Sequence, residues 1–279
     1  MLPLDTTMAV FLVSVVAGTI GALLGLGGGI ILIPVLTLGF GIDIRYAAGA
    51  SLISVIATSS GAAAAYVRDR LTNIRIGLFL EMATTSGAIT GAYLAGVISP
   101  RFLYIIFALM LGYSTLAMFR RRHVELPEGV VLHPLARKLR LEGSYYDPAL
   151  ARQVDYTSSG VYESFALMYV AGIISGLLGI GSGLFKVMAM DVFMKLPMKV
   201  STATSNFMIG VTAAASAGIY FARGNINPAL AAPVALGVMV GATLGTRLMV
   251  RLRNVTLRKI FVPVLLYVSL EMLLKGLKG

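Results

Sequence analysis

Residues 176–186 read GLLGIGSGLFK, a glycine cluster with Ser182 and Lys186 inside an otherwise apolar run. Glycine lets the backbone take positive φ and lets a ligand approach it closely. A helix that restarts after such a cluster presents free N–H groups and a positive dipole end, which suit an anion. A lysine inside a membrane segment costs about 3 kcal/mol unless it is paired or hydrated, so Lys186 needs an anionic neighbour or water. A second cluster, GLGGG at 25–29, repeats the pattern. Gly27, Gly28, Gly29, Gly181, Ser182, Gly183 and Lys186 are therefore candidate anion-binding residues.

Further along, STATSNF (201–207) places Thr204, Ser205 and Asn206 at the start of an apolar segment, and AAGASLI (47–53) places Ser51 at the matching point. Ser and Thr there ordinarily cap a helix. If that first turn meets the opposite glycine cluster, the same groups become donors to an anion. Glu81 is a lone carboxylate in a third apolar segment, suited to relaying protons or to a structural ion pair. For Lys186 the structural alternatives are a pair with Asp191, five residues on, or snorkelling to the interface.

Other chemistries fit less well. The chain has no cysteine, and His123 and His133 both lie in the central polar stretch, so no metal site and no cofactor is expected. Ser182 and Lys186 could form a Ser–Lys hydrolytic dyad, but that leaves the duplicated cluster unexplained. The net charge of +11 resides in the connections between apolar segments. This is the distribution that orients a membrane protein, and nucleic acid is not an expected partner.

The elements that position these residues are membrane segments. Of 279 residues 57% are hydrophobic and only 13% are charged, about half the charge of a soluble domain. No charge occurs from Thr6 to Ile42 or from Gly224 to Thr246, runs long enough to cross an apolar layer of about 30 Å. Met1–Thr7 has no basic residue and the run after it is too long for a signal peptide, so it is expected to remain as a membrane segment. Apolar segments fall near 8–40, 46–67, 74–98, 102–119, 162–194, 200–222, 226–248 and 257–274. Arg120–Gly160 is a charged, turn-rich connection that reads as a solvent-facing cytoplasmic linker, with a short helix in HPLARKLRLEG at the membrane surface. Tyr66, Tyr220, Asn73 and Asn227, at segment ends, suggest interface anchors.

One constant shift, without a gap, superposes the two halves. It places Ser51 on Ser205, Thr58 on Thr212, Tyr66 on Tyr220, Asn73 on Asn227, and Gly87 and Gly91 on Gly241 and Gly245. Lys186 falls on Leu32 and Glu81 on Ala235, so the charges have no counterparts. If every segment crossed once, Lys and Arg would be divided nearly evenly between the two sides. Segment 8–40 would also be about 50 Å long as one helix, too long for one crossing. If segments 8–40 and 162–194 each turn back at their glycines, most basic residues share one side, as orientation requires. The expected architecture is an all-α polytopic membrane protein of two inverted repeats, 1–119 and 161–279, joined by the basic linker 120–160. The N-terminus lies outside and the central loop in the cytoplasm. Such internal symmetry is typical of secondary transporters, while a glycine-lined anion channel is the other reading.

Three stretches carry a resemblance over nearly the whole chain: GALLGLGGGIILIPVL (21–36), GASLISVIATSSGAAAAY (49–66), and GLLGIGSGL with TSNFMIGVTAAASAGIYFARGNIN (204–227). In these the sequence resembles the sulfite exporter (TauE/SafE) family, also called the toluenesulfonate uptake permeases. The resemblance implies a cell-membrane permease for small sulfur-containing anions such as sulfite, sulfonates, sulfoacetate or thiosulfate. Ser182 in place of a glycine, Met188 in place of proline, and the added Lys186 depart from the family pattern and allow a different anion. The expected partners are the small anion and the lipid bilayer, with a homodimer as the candidate assembly.

Overall fold

The computed structural model describes residues 3–42, 44–94, 129–178, 182–222 and 224–278, with scattered positions between 102 and 127. Helix dominates. The first half contains α1 (Leu4–Leu24), α2 (Gly29–Pro34), α3 (Ile44–Arg68) and α4 (Ile74–Leu94). The second half contains α6 (Val161–Leu178), α7 (Gly183–Met188), α8 (Met198–Ala222), α9 (Pro228–Arg251) and α10 (Asn254–Lys278). Both α2 and α7 run on into a short π-helical turn, Val35–Gly39 and Ala189–Phe193.

Local chemistry sets the boundaries. Asn73 and Asn227 cap α4 and α9, their Oδ1 atoms accepting from Ile76 N and Ala229 N at 3.0 Å each. Capping an otherwise unpaired helix start explains asparagine at these points better than interface anchoring does. Nor is Tyr66 an interface anchor: its ring is fully buried and its hydroxyl donates to Ala22 O at 3.1 Å. α1 stops where Gly25 turns left-handed at φ +76°.

Four helices are long and apolar enough to cross a membrane among the described residues: Leu4–Leu24, Gly49–Arg68, Met198–Ala222 and Pro228–Arg251. Their polarity runs inside out. Leu4, Met8, Leu12 and Val16 form an exposed apolar stripe on α1, while Ser51, Ser54, Thr58, Thr202, Thr204, Ser205 and Asn206 are buried. Lipid is as apolar as a protein core, so polar groups gather inside and bond across helices.

α1 packs on α9, α4 on α6, and α3 on α8. The first two contacts repeat one another. Gly241 and Gly245 leave room for the backbone carbonyls of Val15 and Thr19, while Gly87 and Gly91 leave room for those of Tyr169 and Ile173. A side chain at any of the four would strike a neighbouring backbone. α3 and α8 run in opposite directions. Gly49 lies against Asn225, Val55 packs beside Ile209, the Ser59 hydroxyl donates to Asn206 O, and Asn73 N donates to Thr204 Oγ1 at 3.0 Å.

The linker holds more than the one short helix expected of it. A short helix does form, α5 (Pro134–Leu139), capped by His133 Nδ1 accepting from Leu135 N at 3.2 Å. Beyond it, β1 (Gly143–Asp147) and β2 (Arg152–Tyr156) make an antiparallel hairpin with Tyr145 opposite Val154. Alternation turns Tyr145, Asp147 and Val154 inward, all of them buried. Asp147 Oδ1 receives Lys199 Nζ at 2.6 Å, and Asn73 Nδ2 donates to the Tyr156 hydroxyl at 3.1 Å. Ser159 Oγ donates to Phe193 O at 3.2 Å, and Lys199 Nζ also reaches Val250 O at 3.2 Å. The linker region thus ties together one end of the bundle.

Candidate functional site

Two interruptions of helix face each other in the middle of the bundle. At the first, Gly25, Gly27 and Gly28 have φ of +76°, +76° and +72° between α1 and α2. Side chains are strained in that region of φ/ψ space, which is why glycine fills all three positions. At the second, α6 ends at Leu178 and α7 starts at Gly183. Gly181 lies outside the described residues.

Ser205 joins the two. Its Oγ lies 2.8 Å from Gly25 O and 3.3 Å from Gly183 O, so one hydroxyl from α8 touches backbone from both interruptions. Gly183 in turn packs against Gly25 O and the Leu26 Cα, a contact that allows no side chain. On the other face, Ser51 Oγ lies against Gly29, and Ser54 Oγ donates to Gly27 O at 3.4 Å. Asn206 Nδ2 donates to Ala22 O at 2.8 Å and Thr202 O at 3.1 Å, leaving its buried Oδ1 without a partner among the described residues. Gly27, Gly29, Ser51, Gly183, Ser205 and Asn206, picked out by sequence, therefore converge. Gly28 sits beside them, packed against Ala17 O and Ser54 Oγ. Thr204 faces the linker end instead, its hydroxyl accepting from Asn73 N.

Ser182 stands at the start of α7 with no side-chain capping bond, 2% exposed, its hydroxyl unpartnered among the described residues. One turn on, Lys186 is fully buried. Its Nζ donates to Glu81 Oε2 at 2.8 Å and to Thr212 Oγ1 at 2.6 Å. Thr212 Oγ1 donates onward to Glu81 Oε1 at 2.5 Å, and Thr85 Oγ1 reaches the same oxygen at 3.1 Å. Lys186 thus meets Glu81, from the other half, and not Asp191. Asp191 pairs with Arg258 of α10 at 2.5 Å, both side chains fully buried. Residues five apart lie on different faces of a helix, so the Lys186–Asp191 pairing had little geometric support. Ser182 and Lys186 meet through backbone alone, Lys186 N donating to Ser182 O at 3.1 Å, and the Ser182 hydroxyl makes no bond to the lysine side chain.

Ser54, Ser59, Thr85 and Thr212 are neighbours of the candidate site that sequence reading did not single out. Thr212 is recognisable only as the duplicate of Thr58; its role depends on Glu81 arriving from α4. Among the described residues, no group of three or more His, Cys, Asp or Glu side chains could hold a metal ion.

Apolar outer faces and a polar interior built from two joined halves define a multi-pass membrane protein of transporter type. Residues 10–272 match the family described as "Sulfite exporter TauE/SafE". The chain belongs to the sulfite exporter TauE/SafE family. It is 26% identical over 275 residues to "Probable membrane transporter protein YunE" of Bacillus subtilis (strain 168), covering 94% of this chain and 95% of that one. It is also 28% identical over 241 residues to "Probable membrane transporter protein YdhB" of the same organism, covering 86% and 87%. No solved structure matches significantly.

Proposed function

We propose that this protein is a secondary transporter of the cell membrane that moves a small sulfur-containing anion, such as sulfite or an organosulfonate, held between the two helix interruptions. The observation that carries the reading is Ser205 touching backbone from both, at 2.8 Å and 3.3 Å. A group placed there senses any relative motion of the halves, as alternating access about a central site requires. Near the interruptions lie donors that suit an oxyanion: the hydroxyls of Ser51 and Ser182, and Lys186 a turn past Ser182. Sulfur chemistry comes from the family.

The halves are inverted repeats in this reading. Support comes from α3 and α8, which are duplicates of one another yet run antiparallel, with the duplicate residues Val55 and Ile209 side by side. The hydrogen bonds from the linker to Asn73, Phe193 and Lys199, and from Lys199 on to Val250, favour a single side for all of them, the cytoplasm. A chain crossing once per segment would put Lys199 on the side opposite the linker.

The test is uptake of labelled sulfite into proteoliposomes, with thiosulfate, sulfoacetate and taurine as competitors. The expected result is saturable uptake, inhibited by one or more competitors, and reduced at least about tenfold in Ser205→Ala, the equivalent of about 1.4 kcal/mol. Sealed vesicles that pass none of these anions would overturn the assignment.

A further inference from the structure

The interruptions account for Ser205, but not for the charges beside them. Lys186, Glu81 and Thr212 form a closed ring of hydrogen bonds, with Lys186 fully buried and Glu81 7% exposed. The molecule contains its own control for this ring. The duplicates of Lys186, Glu81 and Thr212 are Leu32, Ala235 and Thr58. Leu32 and Thr58 are fully buried, and the Thr58 hydroxyl has no partner among the described residues. The same frame is therefore built once with a lysine and a carboxylate and once with leucine and alanine. Packing does not demand the charges, and apolar groups usually replace a buried ion pair at little cost or with a gain. Charged side chains retained inside a membrane point to a function.

We propose that the Glu81 carboxylate is an internal stand-in for the transported anion on Lys186, and that it gives way by taking up one proton, so that anion and proton travel together. This rests on the transporter reading above. In the resting state the ring is neutral, one cation against one anion. An anion arriving alone would leave two negative charges facing one positive charge in an apolar interior. If a proton from the aqueous phase binds Glu81, the ring stays neutral with a monoanion in place. The oxyanion then accepts from Lys186 Nζ and the Thr212 hydroxyl, the donors that Glu81 releases. No covalent bond forms or breaks.

Few other groups compete for this role. On the elements packed against α4, Tyr169 of α6 pairs with the Thr90 hydroxyl at 3.2 Å, and Glu163 is exposed. Lys199 of α8 is committed to Asp147. Lys186 is the charge that faces Glu81 among the described residues, with the Thr85 and Thr212 hydroxyls completing its shell.

The experiment uses the full chain in proteoliposomes with labelled sulfite, comparing exchange at equal pH with net accumulation under an acid-outside gradient. Wild type should do both. Glu81→Gln should still exchange sulfite but lose accumulation, by about tenfold per pH unit of gradient, the limit for one coupled proton. Glu81→Asp, which keeps a titrating group, should retain it. Sulfite ionises alike in every arm, so the difference between variants belongs to Glu81. The paired change Glu81→Ala with Lys186→Leu copies the other half; it should fold with an unchanged melting temperature and exchange nothing.

Gradient-driven accumulation by Glu81→Gln at the wild-type level would overturn the coupling and leave the transporter reading intact. So would wild-type exchange with no response to the gradient, or exchange by the paired variant. Should wild type neither exchange nor accumulate labelled sulfite, thiosulfate or sulfoacetate, the transporter reading falls and the coupling falls with it.

Discussion

Ser182 carries a buried hydroxyl with no hydrogen-bond partner among the described residues, at the start of α7. Leaving such a group unpaired costs about 1–3 kcal/mol. Its duplicate, Gly28, has no side chain and takes φ +72°, so the fold has a version of this position without the hydroxyl. Ser182→Ala should therefore leave the thermal midpoint unchanged or raise it, while weakening sulfite uptake several-fold through a higher KM. Equal loss of stability and transport would mark the hydroxyl as a packing group. Buried charges behave differently. Arg258 and Asp191 meet at 2.5 Å with no exposure on either side chain. Removing one partner leaves the other charge buried alone, so Arg258→Leu should destabilise the protein by about 3–5 kcal/mol, read as a lower midpoint in a thermal scan.

At the scale of helices, contact depends on backbone approach. Gly241 meets the Val15 carbonyl so closely that an added methyl would displace α1 from α9. Gly241→Ala should cost about 1–3 kcal/mol, as overpacking does. Gly218 is also helical, on α8, and a methyl there meets nothing within 4 Å. Gly218→Ala should stabilise by up to about 1 kcal/mol through helix propensity alone. Thermal midpoints of the two variants, measured side by side, separate close packing from intrinsic propensity. The duplicated glycines Gly87 and Gly241 were visible in sequence, but their partners were not. Tyr169 and Val15 lie on the first helix of the opposite half, a pairing that repetition alone does not specify.

For the molecule as a whole, the proposed inversion has a direct consequence. Arg75 and Ala229 are duplicate positions at the starts of α4 and α9, and both are exposed. The chain has no cysteine, so single cysteines can be introduced without background. Arg75→Cys should react with a membrane-impermeant maleimide only from the cytoplasm, and Ala229→Cys only from outside. Labelling of both from one side would mean parallel repeats and a different transport geometry. The linker adds a second whole-molecule feature. Through Asp147 and Lys199 it fastens the hairpin to the start of α8, on the helix that carries Ser205 to the interruptions.

Sequence alone carried the membrane class, the duplication, the two glycine clusters and most residues around Ser205. Each depends on short-range information: apolar runs long enough for a bilayer, a constant register between halves, and residue types with restricted backbone or bonding roles. The hairpin escaped notice because its strands are five residues each, in a charged stretch whose inward side chains only the bundle end makes intelligible. The partner of Lys186 escaped for a related reason. Glu81 lies 105 residues away in the chain, and sequence offered Asp191 as the near carboxylate. Only tertiary structure brings α4 and α7 together, and it does so because the polar groups of both halves have no favourable place except the interior they share.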